Sequence, residues 1–135
     1  MERNKIMLDT SAYSAFLRGN QQIKLSLQHA DEIFLNPIIL GEILAGFIMG
    51  KRERKNRAIF QDFLSSPRVK IVDIDEETSE RYGVITSHLR KEGTPIPTND
   101  LWIAASAMQY GFKILTTDKH YLKVPQIIAE YFQAS

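Results

Sequence analysis

Apolar residues recur along this chain in two rhythms. Short, dense runs occur at Ile6-Met7-Leu8, at Ile33-Phe34-Leu35, within Val69 to Ile74 and within Lys113 to Thr117. They are too brief for helices and partly β-branched, which predicts strands buried on both faces of a sheet. The longer stretches between them repeat at helical spacing. Ala12, Phe16 and Leu17 predict a short helix stopped at Gly19, and a second covers Gln22 to Gln28. Asn36-Pro37 opens a third that runs to about Met49, since proline is pre-set for a first helical turn. Ile38, Ile39, Leu40, Ile43, Leu44, Phe47 and Ile48 make that helix apolar nearly all round, so it is expected to be buried. A basic helix from Lys51 to Leu64 ends at Ser65-Ser66-Pro67, and Asp75-Glu76-Glu77 supplies acids suited to the start of a helix reaching Glu92. Gly93-Thr94-Pro95-Ile96-Pro97 breaks it, Thr98 is expected to cap a helix to Tyr110, and Gly111 closes that helix. A last short strand is expected near Ile127-Ile128.

Strands alternating with helices predict an α/β domain whose parallel sheet is covered on both faces and connected right-handedly. One step strains this plan. A helix from Glu77 to Glu92 is ~24 Å long, whereas the five residues after it reach at most ~18 Å. The helix is therefore expected to cross the sheet obliquely.

With 135 residues, the chain has the size of a single domain, 1–135. A hydrophobic fraction of 44% and a charged fraction of 24% argue against disordered and fibrous classes. The absence of cysteine removes zinc–thiolate sites and cysteine nucleophiles and agrees with a reducing compartment. Glu2, Arg3 and Lys5 precede too few apolar residues for a signal peptide, and no run approaches the ~20 apolar residues of a membrane helix, so a cytoplasmic protein with no membrane partner is expected. The net charge of +1 alone says little, but neutralising a few acids with a cation would leave a surface suited to a polyanion.

The candidate chemistry lies in four carboxylates. Asp9, Glu42, Asp100 and Asp118 each fall where a strand has just ended or a helix has just begun. Such positions converge on the carboxyl edge of an open parallel sheet, where ligands bind. Singly, Asp9 reads as a helix cap, Asp100 as an acid favoured by a helix N-terminus and Asp118 as a turn former. Glu42, inside an apolar helix, is harder to explain without a partner. Four acids within ~6 Å would repel by ~3 kcal/mol per pair at an effective dielectric near 20. A hard divalent ion relieves that conflict, and all-oxygen ligation favours magnesium or manganese over zinc, because no histidine is expected in the cluster. Metal-assisted phosphodiester hydrolysis suits such a cradle. Ser11 and Thr116 are candidates to orient a ligand from outside the coordination shell, or are simply a cap and a strand residue.

Leu8-Asp9-Thr10-Ser11, Gly41-Glu42-Ile43-Leu44-Ala45-Gly46, Asn99-Asp100-Leu101-Trp102-Ile103-Ala104-Ala105 and Leu115-Thr116-Thr117-Asp118-Lys119-His120-Tyr121 resemble, in this order, the four acidic segments of PIN-domain nucleases. The likeness is nearest to the VapC-type ribonuclease toxins of prokaryotic toxin–antitoxin pairs. It implies a three-layer α/β/α sandwich with a central parallel sheet of four or five strands and a homodimer. It also implies a magnesium- or manganese-dependent endoribonuclease acting on RNA and held by a cognate antitoxin. Matched by segment, Asp9, Glu42, Asp100 and Asp118 take the family's catalytic and metal-binding positions. Thr117 and Tyr121 depart from the fourth segment, where asparagine and phenylalanine are common.

Lys51, Arg52, Arg54, Lys55 and Arg57 form the densest basic run. It reads as a solvated helix face, as an RNA contact or, from the resemblance, as part of a groove for the antitoxin. His29 and His88 are expected at the surface or internally satisfied, His120 as structural or close to substrate, and Trp102 and Tyr121 as core. Two competing functions remain. One is a catalytically silent PIN-like module for binding or dimerisation. The other is a phosphoryl-transfer domain, for which the phosphatase pattern would want an acid at Ser11, and the receiver pattern would want an acidic pair at Leu8-Asp9 with a phosphoacceptor near Asp73.

Overall fold

The computed structural model describes residues 3–134, so residues 1, 2 and 135 of the expected domain lie outside the described residues. Five strands, β1 (Lys5–Leu8), β2 (Glu32–Leu35), β3 (Val69–Ile71), β4 (Lys113–Thr116) and β5 (Ile128–Tyr131), form one sheet in the order β3-β2-β1-β4-β5. Every neighbouring pair is parallel. The order runs outward from β1 to β3 and then returns to the other side, so β1 and β4 flank the point where the winding reverses. Right-handed crossovers then place the helices before β3 on one face and those after it on the other.

The first face carries α1 (Thr10–Leu17), α2 (Gln21–His29), α3 (Pro37–Met49) and α4 (Glu53–Leu64). Tyr13, Phe16, Phe47, Phe60 and Phe63 pack there as a cluster of tilted, stacked and edge-on rings. The second carries α5 (Glu76–Glu92) and α6 (Thr98–Tyr110). Phe34 of β2 stacks on Phe112, just before β4, at 4.0 Å between ring centres. Ile6, Met7 and Leu8 are buried because β1 is central and covered on both faces, which is why its pattern lacks alternation.

Local signals set the element ends. Asn36 accepts a hydrogen bond from the Ile39 N–H ahead of Pro37, and Asp75 and Thr78 cap α5 reciprocally. Gly111 ends α6 at φ 73°, a left-handed conformation that suits glycine. Thr98 is not the cap expected of it. It is the first helical residue, Pro97 holds the cap position in extended geometry, and no side chain caps α6.

The oblique crossing expected of the fifth helix is shared by α6. Asp100 of α6 shares the Tyr121 hydroxyl with Asp9 at the end of β1, Ser106 accepts from Asn36 at the end of β2, and Gln109 meets Asp75 and Thr78 beyond β3. Helix α5 thus starts beside the last turn of α6 and doubles back along it. Its end is already near the carboxyl edge, and the five-residue loop has no climb to make.

Helix α3 also departs from expectation. Ile39, Ile43 and Phe47 are buried, but Ile48 and Met49 are 58% and 82% exposed. The α3 neighbours α1, α4 and α6 cover one side of an apolar cylinder and leave the other open.

Candidate active site

The register of the central strands builds the floor of the site. Leu8 of β1 pairs with Leu115 of β4, and the Asp9 N–H donates to the Leu115 carbonyl at 3.1 Å. Asp9 therefore leaves β1 beside Thr116, and a slip of one residue would turn it to the other face. Asp9 occupies the cap position of α1, yet its side chain makes no capping bond. Its Oδ2 accepts instead from Ser11 Oγ at 2.6 Å and from Thr116 Oγ1 at 2.8 Å. Those hydroxyls are aimed. Ser11 Oγ accepts from the Thr117 N–H and Thr116 Oγ1 from the Asp118 N–H, so each has its own proton free to give to Asp9. Both hydroxyls thus hold one oxygen of Asp9 from behind.

Asp118 follows β4 and caps the 3-10 turn Lys119–Lys123, where its Oδ1 accepts from the His120 N–H at 2.9 Å. The turn swings His120 and Tyr121 back over the strand ends. His120 Nδ1 lies 2.9 Å from Asp100 Oδ2 and 3.0 Å from Asp118 Oδ1. Ligand atoms of Asp100, Asp118 and His120 all fall within 4.8 Å of one another. The expectation of a histidine-free cluster is therefore wrong, and the oxygen-only argument against zinc loses its premise. Tyr121 is core by its ring, as expected, but its hydroxyl contacts Asp9 Oδ1 at 3.2 Å and Asp100 Oδ1 at 3.3 Å. The sequence carried one hint of this: an aspartate capping a single turn brings the residues just after it back beside it.

Glu42 stands apart from the tight cluster and is half-buried, not buried as an apolar helix implied. It accepts from Thr10 Oγ1 at 2.6 Å and from Asn99 Nδ2 at 3.1 Å. It also lines a groove of about 450 Å³ between α1, α3 and α4, with Tyr13, Arg18, Arg52 and Asn56. Of the basic run, Arg52 reaches this groove, Arg57 pairs with Glu53 at 2.8 Å, and Lys51, Arg54 and Lys55 are exposed.

Burial sets the electrostatics. Asp9, 4% exposed, has its carboxyl pushed above the ordinary range by desolvation, opposed by its hydroxyl donors and reinforced by repulsion from Glu42. Desolvation also raises Asp100, with Asp118 and Asp9 repelling it and His120 opposing. The Tyr121 phenol rises steeply, by burial first and by both acids next. The single phenol proton of Tyr121 lies within reach of both acids and is shared between them. Buried carboxylates that repel one another carry the excess negative charge that a cation cancels. Oxygens from Asp9, Asp100 and Asp118 with one imidazole fit a hard or borderline divalent ion.

A receiver-like site is excluded by the topology. It needs an acid after the third strand beside the first, but β3 lies at the sheet edge with β2 between it and β1. Asp75 is used in capping α5.

The PIN-domain family model matches residues 6–127, from the first strand through the turn that carries His120 and Tyr121. The chain belongs to the PIN-domain family. This PIN domain is 31% identical over 125 residues to a ribonuclease VapC of Rickettsia bellii, covering 90% of this chain and 92% of that protein. It is 31% identical over 90 residues to ribonuclease VapC4 of Mycobacterium tuberculosis, covering 67% and 69%. Its fold superposes on a crystal structure of VapBC2 from Rickettsia felis bound to a DNA fragment from their promoter. The TM-score is 0.85 at 25% identity, over 96% of this chain and 99% of that one.

Proposed function

We propose that the chain, as one PIN-like domain, is a magnesium- or manganese-dependent endoribonuclease and the toxin of a toxin–antitoxin pair, working in the cytoplasm. The observation that carries this reading is the meeting of Asp9, Asp100 and Asp118 at the carboxyl ends of the two central strands, with Glu42 on the adjoining groove. Kinship to VapC ribonucleases over nearly the whole chain supports RNA as the substrate and an antitoxin as the partner. The apolar side of α3, with Ile48 and Met49 exposed, supports burial against a second copy in a homodimer.

Asp9, Asp100 and Asp118 would hold the ion, with Glu42 at its outer side and His120 as a nitrogen donor. A divalent ion bound there lowers the pKa of water and offsets charge on the attacked phosphate. The chain's own residues do the rest. Ser11 and Thr116 fix Asp9, and the strand ends hold Asp9 and Asp118 on rigid backbone. Thr10 and Asn99 hold Glu42 where it can orient a water on the groove side. Arg52 supplies positive charge along the groove for the RNA backbone.

Incubation of purified protein with total RNA should yield discrete new 5′ ends with magnesium or manganese, and none with chelator or with Asp100→Asn. Cleavage unaffected by Asp100→Asn defeats the proposal. Ion binding without cleavage of any RNA favours the silent binding module.

A further inference from the structure

Tyr121 is 1% exposed, and its place on the 3-10 turn brings the phenol inward to the strand ends. Burial alone does not give a phenol an acidic partner. Tyr13 is equally buried, and its hydroxyl makes no hydrogen bond among the described residues. The Tyr121 hydroxyl instead stands between two carboxylates, 3.2 Å from Asp9 Oδ1 and 3.3 Å from Asp100 Oδ1. The other oxygen of each acid is already engaged, Asp9 Oδ2 by Ser11 and Thr116 and Asp100 Oδ2 by His120. The two Oδ1 atoms are therefore the pair turned toward a common space, with the phenol between them.

These acids arrive on separate elements, Asp9 from the end of β1 and Asp100 from the first turn of α6. Among the described residues no backbone hydrogen bond joins them, and their carboxyls repel one another. A donor that touches both resists that drift at little conformational cost, since the Tyr121 ring is locked in the core.

We infer that Tyr121 is a positioning residue whose hydroxyl sets the spacing of Asp9 Oδ1 and Asp100 Oδ1 for an incoming divalent cation. The inference rests on the reading of these acids as the cation site. Tyr121→Phe keeps the ring and removes only the donor, leaving each Oδ1 free to rotate away. The ion must then reorder its own ligands, and loss of such supporting hydrogen bonds typically weakens metal binding 10–100-fold.

The test is calorimetric titration of metal-stripped protein with Mn²⁺ alone, in wild type, Tyr121→Phe, Asp100→Asn and Leu27→Ala. Tyr121→Phe should bind about 10-fold more weakly, with unchanged far-ultraviolet dichroism, and RNA cleavage should recover at saturating Mn²⁺. Leu27→Ala, which loosens the buried end of α2 at the opposite, amino edge of the sheet, should keep its affinity within about twofold, separating positioning from general destabilisation. The inference is overturned if Tyr121→Phe binds within twofold of wild type, or if Leu27→Ala weakens binding equally. Unchanged binding by Asp100→Asn removes the cation site itself, and this inference with it.

Discussion

Asp9 and Glu42 are both acids of the same site, and the protein holds them in opposite ways. Asp9 is buried at the end of the central strand, with hydroxyl donors from Ser11, Thr116 and Tyr121 on its two oxygens. Glu42 is half-buried on a helix beside an open groove, held by Thr10 and Asn99. The two are coupled through the chain, because Thr10 follows Asp9 and Asn99 precedes Asp100. Segments that bury one acid also lend a side chain to the exposed one. The contrast separates two tasks. On the proposed reading, a buried carboxylate with a raised pKa serves as a fixed ligand for a cation, and its cost is carried by the fold. A half-exposed carboxylate can respond to water and substrate.

The largest expected effect breaks the buried side. Asp9→Asn should reduce RNA cleavage by at least ~1,000-fold, equivalent to ~4 kcal/mol of transition-state stabilisation, and should abolish Mn²⁺ binding. Glu42→Gln should cost only ~10–100-fold and leave measurable Mn²⁺ binding, as loss of an orienting or outer contact does. Parallel rate and calorimetric measurements on the two variants decide the matter. Equal losses in both assays would erase the distinction between fixed ligand and adjustable acid.

Next in size is a stability effect confined to the buried acids. Folded Asp9 and Asp100 hold their protons more tightly than the ordinary 3.8, chiefly because burial disfavours their charge. Between that value and their raised folded pKa values, the native state binds more protons than the unfolded one, so stability falls as pH rises. The penalty is absent below the unfolded pKa and complete above the folded one. In chelator, urea unfolding should show Asp9→Asn/Asp100→Asn gaining on wild type as pH rises from about 4. Each unit of pKa difference is worth ~1.4 kcal/mol, and saturating Mn²⁺ should close the gap from the wild-type side. A gap that narrows with rising pH would show that the acids are not strained by burial.

The same contrast explains what could be read from the sequence. Asp9, Asp100 and Asp118 were legible because strand ends and helix starts are marked by turn residues and by the change of hydrophobic rhythm, and a parallel sheet gathers them at one edge. Ser11 and Thr116 followed from adjacency. The exposure of Glu42 was not legible, because periodicity shows that α3 is apolar but not how many neighbours cover it. Ile48 and Met49 stay open for the same reason. The partner that α5 follows across the sheet was not legible, because it depends on Gln109 meeting Asp75 and Thr78, a contact between residues roughly thirty positions apart. The contacts of His120 with Asp100 and Asp118, and of the Tyr121 hydroxyl with Asp9 and Asp100, were not legible because a single 3-10 turn has no periodic signal.

The smallest effect sharpens the exposed side, where five basic residues were treated alike from sequence. Arg57 is tied to Glu53, and such exposed i,i+4 pairs contribute only ~0.3–0.5 kcal/mol, so Arg57→Gln should change RNA affinity by less than about twofold. Arg52 shares a groove with Glu42, and a guanidinium there would meet phosphates leading into the site. For a single-stranded RNA, each neutralised phosphate contributes about 0.7 to the slope of log affinity against log salt. Arg52→Gln should therefore weaken binding ~3-fold at low salt and flatten that slope by about this amount, while Arg57→Gln leaves it unchanged. Measured on cleavage-inactive Asp100→Asn protein, the slopes report binding alone. If Arg57→Gln flattens the slope and Arg52→Gln does not, the RNA follows the outer face of α4, and Glu42 sits at the edge of the substrate path.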